Sequence, residues 1–194
     1  NVTPRKPMNL PKLARQEVPG SDTPVSKVDQ LSDDNEFQVI QDGAAFSSII
    51  QDGGSGNEAD VSQQGGLARN AGNRSAIDQN GADNYGGVSQ EWVDLGGQAG
   101  NRSNAASIVQ GGSLGSFTGS DNYGEIAQVG EGNDAFIEQR DDFDNSSGDS
   151  SGNYATINQD GLMNVAAVHQ DDDNMATVDQ VGDMNDALIV QDDR

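Results

Sequence analysis

In twelve well-matched copies along this chain a Val or Ile stands two residues before a Gln. These residues are Val39, Ile49, Val61, Ile77, Val88, Ile108, Ile126, Ile137, Ile157, Val168, Val178 and Ile189. The glutamines that follow are Gln41, Gln51, Gln63, Gln79, Gln90, Gln110, Gln128, Gln139, Gln159, Gln170, Gln180 and Gln191. Two residues before each Val/Ile comes a small residue (Ala, Ser or Gly), and two before that an Asn. The asparagines are Asn57, Asn73, Asn84, Asn104, Asn122, Asn133, Asn153, Asn164, Asn174 and Asn185. The unit is N-x-[small]-x-[V/I]-x-Q. The first two copies are looser: Phe37 takes the small slot before Gln41, and Ala45 the Asn slot before Gln51. A degenerate thirteenth copy precedes Gln30, with Ser26, Val28 and Pro24 in the small, Val/Ile and Asn slots.

Positions at i, i+2, i+4 and i+6 share one face of a β-strand, whereas a helix would scatter them around its circumference. Each copy therefore predicts a strand with its marked side chains turned inward. Successive glutamines are most often 10–12 residues apart, which leaves room for a strand and a tight turn. Gly and Asp in those turns suit positive φ. Insertions rich in Gly, Ser, Asp and Asn at 64–72, 91–103, 111–121 and 140–152 read as loops leaving single levels of a stack.

The residue after Asn gives the number of strands per turn. In alternate copies it runs Glu36, Glu58, Tyr85, Tyr123, Tyr154, Met175, and the intervening copies never have Tyr there. All three tyrosines thus share one slot in three successive copies of the same parity, which places them in one column if each turn contributes two strands. The expected fold is all-β: a β-solenoid of about six two-strand turns, with two parallel sheets facing each other. The small slot lets the sheets close tightly. The inward Asn and Gln side chains are expected to form amide ladders, each bonded to its equivalent above and below.

Composition sharpens this picture. Only 32% of residues are apolar and 5% aromatic, with a net charge of −22, values that alone would place the chain near the disordered class. Periodicity restores order, because a repeat buries small side chains without a large core. All five prolines lie in the first 24 residues. Residues 1–32 hold five basic side chains (Arg5, Lys6, Lys12, Arg15, Lys27) against three acidic ones, a net +2, which leaves −24 on the rest. We therefore expect an extended tail over 1–32 and the repeat body over 33–194. A body this acidic argues against nucleic acid as a partner. No apolar run is long enough to insert in a membrane. The chain opens on Asn1 rather than Met, which is compatible with removal of a signal peptide.

Candidate chemistry is sparse. The single His169 falls at an outward strand position beside Asp171–Asp173 and reads as solvated rather than as a catalytic base. There is no Cys, and no Ser/His/Asp spacing suggests a triad. Neither catalytic residues nor a cofactor site are expected. Trp92 reads as a loop-packing residue, and the tyrosine column as an exposed stack. Asp42, Asp52, Asp160, Asp171–Asp173, Asp183, Asp192 and Asp193 follow the glutamines. Their columns are either a solvated, mutually repelling surface, the preferred reading, or a place where calcium bridges carboxylates.

The pattern Gln-x-Gly-x-x-Asn-x-Ala, seen at Gln128-Val-Gly130-Glu-Gly-Asn133-Asp-Ala135, Gln159-Asp-Gly161-Leu-Met-Asn164-Val-Ala166 and Gln180-Val-Gly182-Asp-Met-Asn185-Asp-Ala187, resembles the curlin repeat of bacterial curli, the amyloid fibres of biofilms. The resemblance spans residues 35–191. It implies a secreted subunit of a cell-surface fibre, polymerised head to tail with itself. It further implies a dedicated outer-membrane secretion channel, a nucleating partner, and an address function for the tail. The end copies match and no capping helix is predicted after Gln191, so one chain's last turn is expected to template the next chain's first. The alternatives are a minor nucleating subunit of the same kind and a secreted, calcium-dependent β-roll adhesin.

Overall fold

The computed structural model describes residues 14–17, 24–32, 34–43, 45–52, 54–64, 73–92, 104–112, 122–141, 152–171 and 174–192. Among them the only regular elements are strands. These are β1 (Ala14–Glu17), β2 (Val25–Gln30), β3 (Glu36–Asp42), β4 (Ala45–Asp52), β5 (Glu58–Gln64), β6 (Asn73–Asn80) and β7 (Tyr85–Trp92). They continue as β8 (Ala105–Gly112), β9 (Tyr123–Glu131), β10 (Asp134–Asp141), β11 (Tyr154–Leu162), β12 (Val165–Asp171), β13 (Met175–Val181) and β14 (Asp186–Asp192). Odd strands form one seven-stranded sheet and even strands the other, each in order along the chain. Neighbouring strands are parallel, as a two-strand solenoid turn requires. The fold is an all-β, two-sheet solenoid.

The register is that of the repeat. Gln41, Gln63, Gln90, Gln128, Gln159 and Gln180 are paired in sequence across the odd sheet. Gln51, Gln79, Gln110, Gln139, Gln170 and Gln191 are paired likewise across the even one. A slip of one residue would turn every Ile outward, so burial excludes odd shifts of this alignment.

The Val/Ile side chains of both sheets form one core cluster with the small-slot alanines. Ile49, Ile108, Ile126, Ile137 and Ile157 have no exposed surface. The small slot is small for a steric reason. A methyl group placed on Gly86 of β7 would lie 3.0 Å from Ile77 Cγ2 of β6, and one on Gly124 of β9 would lie 3.1 Å from Ile108 Cγ2 of β8. At these two levels the small residue thus rests on the β-branched residue of the opposite sheet. Phe37 breaks the rule near the N-terminal end, where it is buried in the cluster and the partly buried Val28 packs against that cluster.

The tight turns have a common backbone. Gly130, Gly161 and Gly182 sit two residues after their glutamines with φ of 113°, 132° and 101°. The residue just before the next Asn is also left-handed, as Gly132, Met163 and Met184 show at φ of 73°, 57° and 58°. These glycines stack. A Cβ on Gly130 would lie 2.0 Å from Gly161 O, and one on Gly161 would lie 2.2 Å from Gly182 O. Gly182 ends the column, and its nearest neighbour would be Asn185 Nδ2 at 3.9 Å.

The N-terminal division differs from the sequence-based one. The stretch read as tail contributes β1 and β2 to the sheets, so the stack extends beyond the six turns filled by the twelve copies. Gln30 of β2 pairs with Gln51, which makes the degenerate thirteenth copy a true rung. β1 pairs with β3 so that Gln16 lies opposite Gln41, a register hidden by the lack of Val, Ile or Asn around it. Beyond their first positions, where strands run on to Gln64, Trp92, Gly112 and Asp141, and residue 152, the four insertions lie outside the described residues, as does the side chain of Trp92.

The glycine column gives a direct test of the stack. In Gly161→Ala the left-handed backbone alone costs about 1–2 kcal/mol, and the collision with Gly182 O adds to that. Gly182→Ala suffers only the backbone term. Thermal unfolding should show Gly161→Ala clearly less stable than Gly182→Ala, and equal losses would contradict stacked turns.

Candidate functional site

An amide buried between two sheets has to find two acceptors and a donor within the protein. The glutamines solve this the same way at each level. One Nε2 hydrogen goes along the stack to the next Gln in the same sheet. The distances for Gln41 to Gln63, Gln63 to Gln90, Gln90 to Gln128, Gln128 to Gln159 and Gln159 to Gln180 are 2.8, 2.7, 2.7, 2.8 and 2.8 Å. The even sheet carries the same chain from Gln30 through Gln51, Gln79, Gln110, Gln139 and Gln170 to Gln191. The other hydrogen crosses to the opposite sheet, as from Gln79 to Glu58 O at 2.9 Å and from Gln90 to Arg74 O at 3.0 Å. That cross-link places the nitrogen, so the ladders have one direction: toward the C-terminal rung.

The asparagines form a second pair of columns at the strand entries. Here the side-chain oxygen accepts the backbone N–H of the next Asn. The links run Asn57 to Asn84, Asn84 to Asn122, Asn122 to Asn153 and Asn153 to Asn174 in one column. In the other they run Asn104 to Asn133, Asn133 to Asn164 and Asn164 to Asn185. Several Nδ2 groups bond the stacked turn glycines, Asn104 to Gly130 O at 2.9 Å and Asn133 to Gly161 O at 3.1 Å. The column breaks at Asn73, whose Oδ1 is buried without a partner among the described residues.

Tyr85, Tyr123 and Tyr154 stack in one outward column on the odd sheet, with ring centroids 4.8 and 4.6 Å apart and interplanar angles of 15° and 6°. The Tyr123 hydroxyl donates to Glu125 Oε2 at 2.8 Å. Beside the column, Ile40, Asp60, Ser62, Tyr85, Ser89 and Glu125 line a shallow groove of about 220 Å³ above Gly87. Burial pushes the Asp60 carboxyl up, and burial followed by the charge of Asp52 does the same for Asp78 on the even sheet.

His169 lies on the outer face of β12, its Nδ1 2.9 Å from Glu138 Oε2 of β10, with its ring 5.4 Å from that of Phe136. The acidic turns remain dispersed: no group of three or more His, Cys, Asp or Glu draws together among the described residues. Asp183 instead uses Oδ1 to accept the Leu162 N–H at 3.0 Å.

The C-terminal rung is where the pattern changes. Ala187, Ile189 and Gln191 are half-buried, whereas their equivalents in β12 are buried. Val181 is 81% exposed and Met184 72%. Gln180 and Gln191 still donate across to Val165 O and Met175 O, but among the described residues no rung lies beyond to take their second hydrogen. At the other end, Gln41 Oε1 is buried without a partner among the described residues. The turn-glycine column, the Tyr123–Glu125 bond and this asymmetry of ends escaped the sequence reading. Glycine two residues after Gln was the available signal for the first. Among the described residues no helix is long and apolar enough to cross a membrane.

Comparison with family models, with characterised proteins and with solved structures finds no match to this chain.

Two measurements probe the site. Gln110→Leu removes donors to Tyr85 O and Gln139 Oε1 and the acceptor for Gln79. Each orphaned buried group costs about 1–3 kcal/mol, so urea unfolding should show a loss of several kcal/mol. Asp60→Asn with Asp78→Asn acts the other way. Their folded-state pKa values lie above the unfolded value, so the fold is penalised by their charge at neutral pH. The penalty is lost as pH falls through the raised folded-state pKa and is gone below the unfolded pKa of about 3.9. The double variant should melt higher than the parent at neutral pH and equally at pH ~3.

Proposed function

We propose that this chain is a structural subunit that stacks end to end into extracellular, amyloid-like fibres serving adhesion and biofilm matrix. The observation that carries the reading is the sameness of the rungs, together with an edge on β13 and β14 that no further strand covers among the described residues. From β2–β4 to β12–β14 the Gln-to-Gln register is unchanged, so the exposed edge of β13 and β14 has the same shape and bonding pattern as each internal level. Unpaired strand edges of this kind template further strands. The curlin-like repeat supports the extracellular setting and a secretion channel and nucleator as partners. It also supports a non-enzymatic role.

The edge geometry supplies a test that spares the fold. Val165 N donates to Asn185 O, and Tyr154 N to Asn174 O. By the alternation of a parallel ladder, Leu188 and Thr177 turn their N–H and C=O to the open side. Proline there removes an edge donor and no internal backbone bond, a placement edge strands tolerate. At 177 it also gives up the exposed side-chain bond from Thr156, which Thr177→Ala alone controls for. Thr177→Pro with Leu188→Pro should retain the strand circular dichroism and stop fibre elongation, followed by electron microscopy and lag time. Fibres growing at the parental rate would overturn end-to-end stacking through this edge.

A further inference from the structure

Three tyrosines occur in the whole chain, and the fold places all three in one stack. A ladder of aromatic rings needs no explanation beyond stacking. The carboxylate bonded to the middle ring is a different kind of feature. Glu125 lies two residues along β9 from Tyr123, on the same outer face, and its Oε2 accepts the phenol hydrogen at 2.8 Å. The Tyr85 and Tyr154 rings lie on either side of Tyr123. The column is within reach of solvent, with Tyr154 37% exposed.

We propose that the tyrosine column is an oxidative cross-linking site, in which Tyr123, with Glu125 as its proton acceptor, couples to Tyr85 or Tyr154 to give an intrachain dityrosine. The co-reactant is a peroxide activated by a peroxidase-type, one-electron oxidant. Each of two stacked phenols loses one electron and its hydroxyl proton and becomes a phenoxyl radical. For Tyr123 the proton moves along the existing hydrogen bond to Glu125. The two radicals combine at the ring carbons ortho to oxygen, forming one C–C bond. The two ortho hydrogens then leave carbon as the rings regain aromaticity, and the oxygens are protonated again. The balance is two hydrogens lost from the protein, with one O–O bond of peroxide cleaved to give two molecules of water.

The geometry favours this outcome over coupling between molecules. The rings are stacked face to face with centroids 4.6–4.8 Å apart, so a local pivot of the side chains brings an ortho carbon of one ring onto its neighbour, and parallel register holds the pair together before oxidation. Such proximity replaces a bimolecular encounter by an intramolecular step. Burial and the Glu125 carboxylate also hold the Tyr123 phenol protonated well above its ordinary range. The proton is therefore present until an electron leaves, and the acceptor is in place when it does. Met175, next in the column beyond Tyr154 and 72% exposed, is a competing target. It gains an oxygen, whereas the cross-link loses two hydrogens, so mass separates them.

The experiment treats dilute full-length protein with a peroxidase and hydrogen peroxide, follows dityrosine fluorescence, and maps cross-linked peptides after proteolysis. We expect intrachain links Tyr85–Tyr123 and Tyr123–Tyr154. Tyr123→Phe keeps a ring in the stack but leaves Tyr85 and Tyr154 two rungs apart, and should abolish the intrachain link. Glu125→Gln can still accept the hydrogen bond but is a poor proton acceptor. It should slow the reaction about a hundredfold, the low side of what a positioned base contributes, with circular dichroism unchanged. In urea the intrachain preference should vanish. Only interchain products in native protein, undiminished intrachain product in Tyr123→Phe, or unchanged rate in Glu125→Gln would each overturn the proposal. The stack belongs to one chain, so the result is independent of whether copies assemble end to end.

Discussion

A glutamine amide carries two N–H donors and one carbonyl, and between these sheets it meets almost no solvent. Gln51, Gln79, Gln110, Gln128 and Gln139 have no exposed surface at all. Each must send one hydrogen to the rung beyond and one to the facing sheet, and receive one from the rung behind. This requirement sets the spacing between sheets, forbids a register shift, and ties each level to its neighbours. An unsatisfied amide in such surroundings costs as much as a typical core methylene or more. The Val/Ile core supplies the hydrophobic burial. The amides make that burial possible in only one alignment, and a chain of polarised amides strengthens each bond in it.

Much of this was legible because the repeat is simple. Twelve Val/Ile residues at one spacing gave strands, and the three tyrosines, Tyr85, Tyr123 and Tyr154, gave two strands per turn. The small slot was understood as a consequence of close sheets, and the contact of Gly86 with Ile77 is that constraint at atomic scale. What stayed hidden depended on backbone rather than side-chain pattern. β1 joins the sheet through main-chain pairing around Ala14–Glu17, with none of the marked residues except Gln16. β2 was obscured by Pro24 in the Asn slot. The positive φ of Met163 and Met184 could not be read from methionine, which ordinarily avoids that region. Position after a turn glycine, rather than residue type, determines it.

The two outer faces are built on the same scaffold and differ chiefly in the tyrosine column of the odd sheet. Along the odd sheet the outward residues are mostly polar, with Asn158 Nδ2 bonded to Asp179 Oδ1 and Thr156 to Thr177 between neighbouring strands. Apolar side chains are exposed on both faces, Ile40, Val129, Met175 and Val181 on the odd sheet and Phe46, Val165, Leu188 and Val190 on the even one. Burial within the sandwich constrains neither face, so these positions are free to vary with whatever each face meets. The acidic excess is spread over both, and like charge on such flat surfaces opposes their contact.

Parity has a consequence for how such a chain can change length. Each rung touches only its immediate neighbours, so copies could be gained or lost without rebuilding the core. Yet the loss of a single copy would send each later strand to the opposite sheet. Tyr123 and Tyr154 would then leave Tyr85 behind on its old face, and the ring column would be split between the two sheets. A protein whose two faces differ can therefore lengthen or shorten only in pairs of copies. The quantum of insertion and deletion here is the full turn, roughly 20 residues for the compact copies, rather than the repeat visible in the sequence.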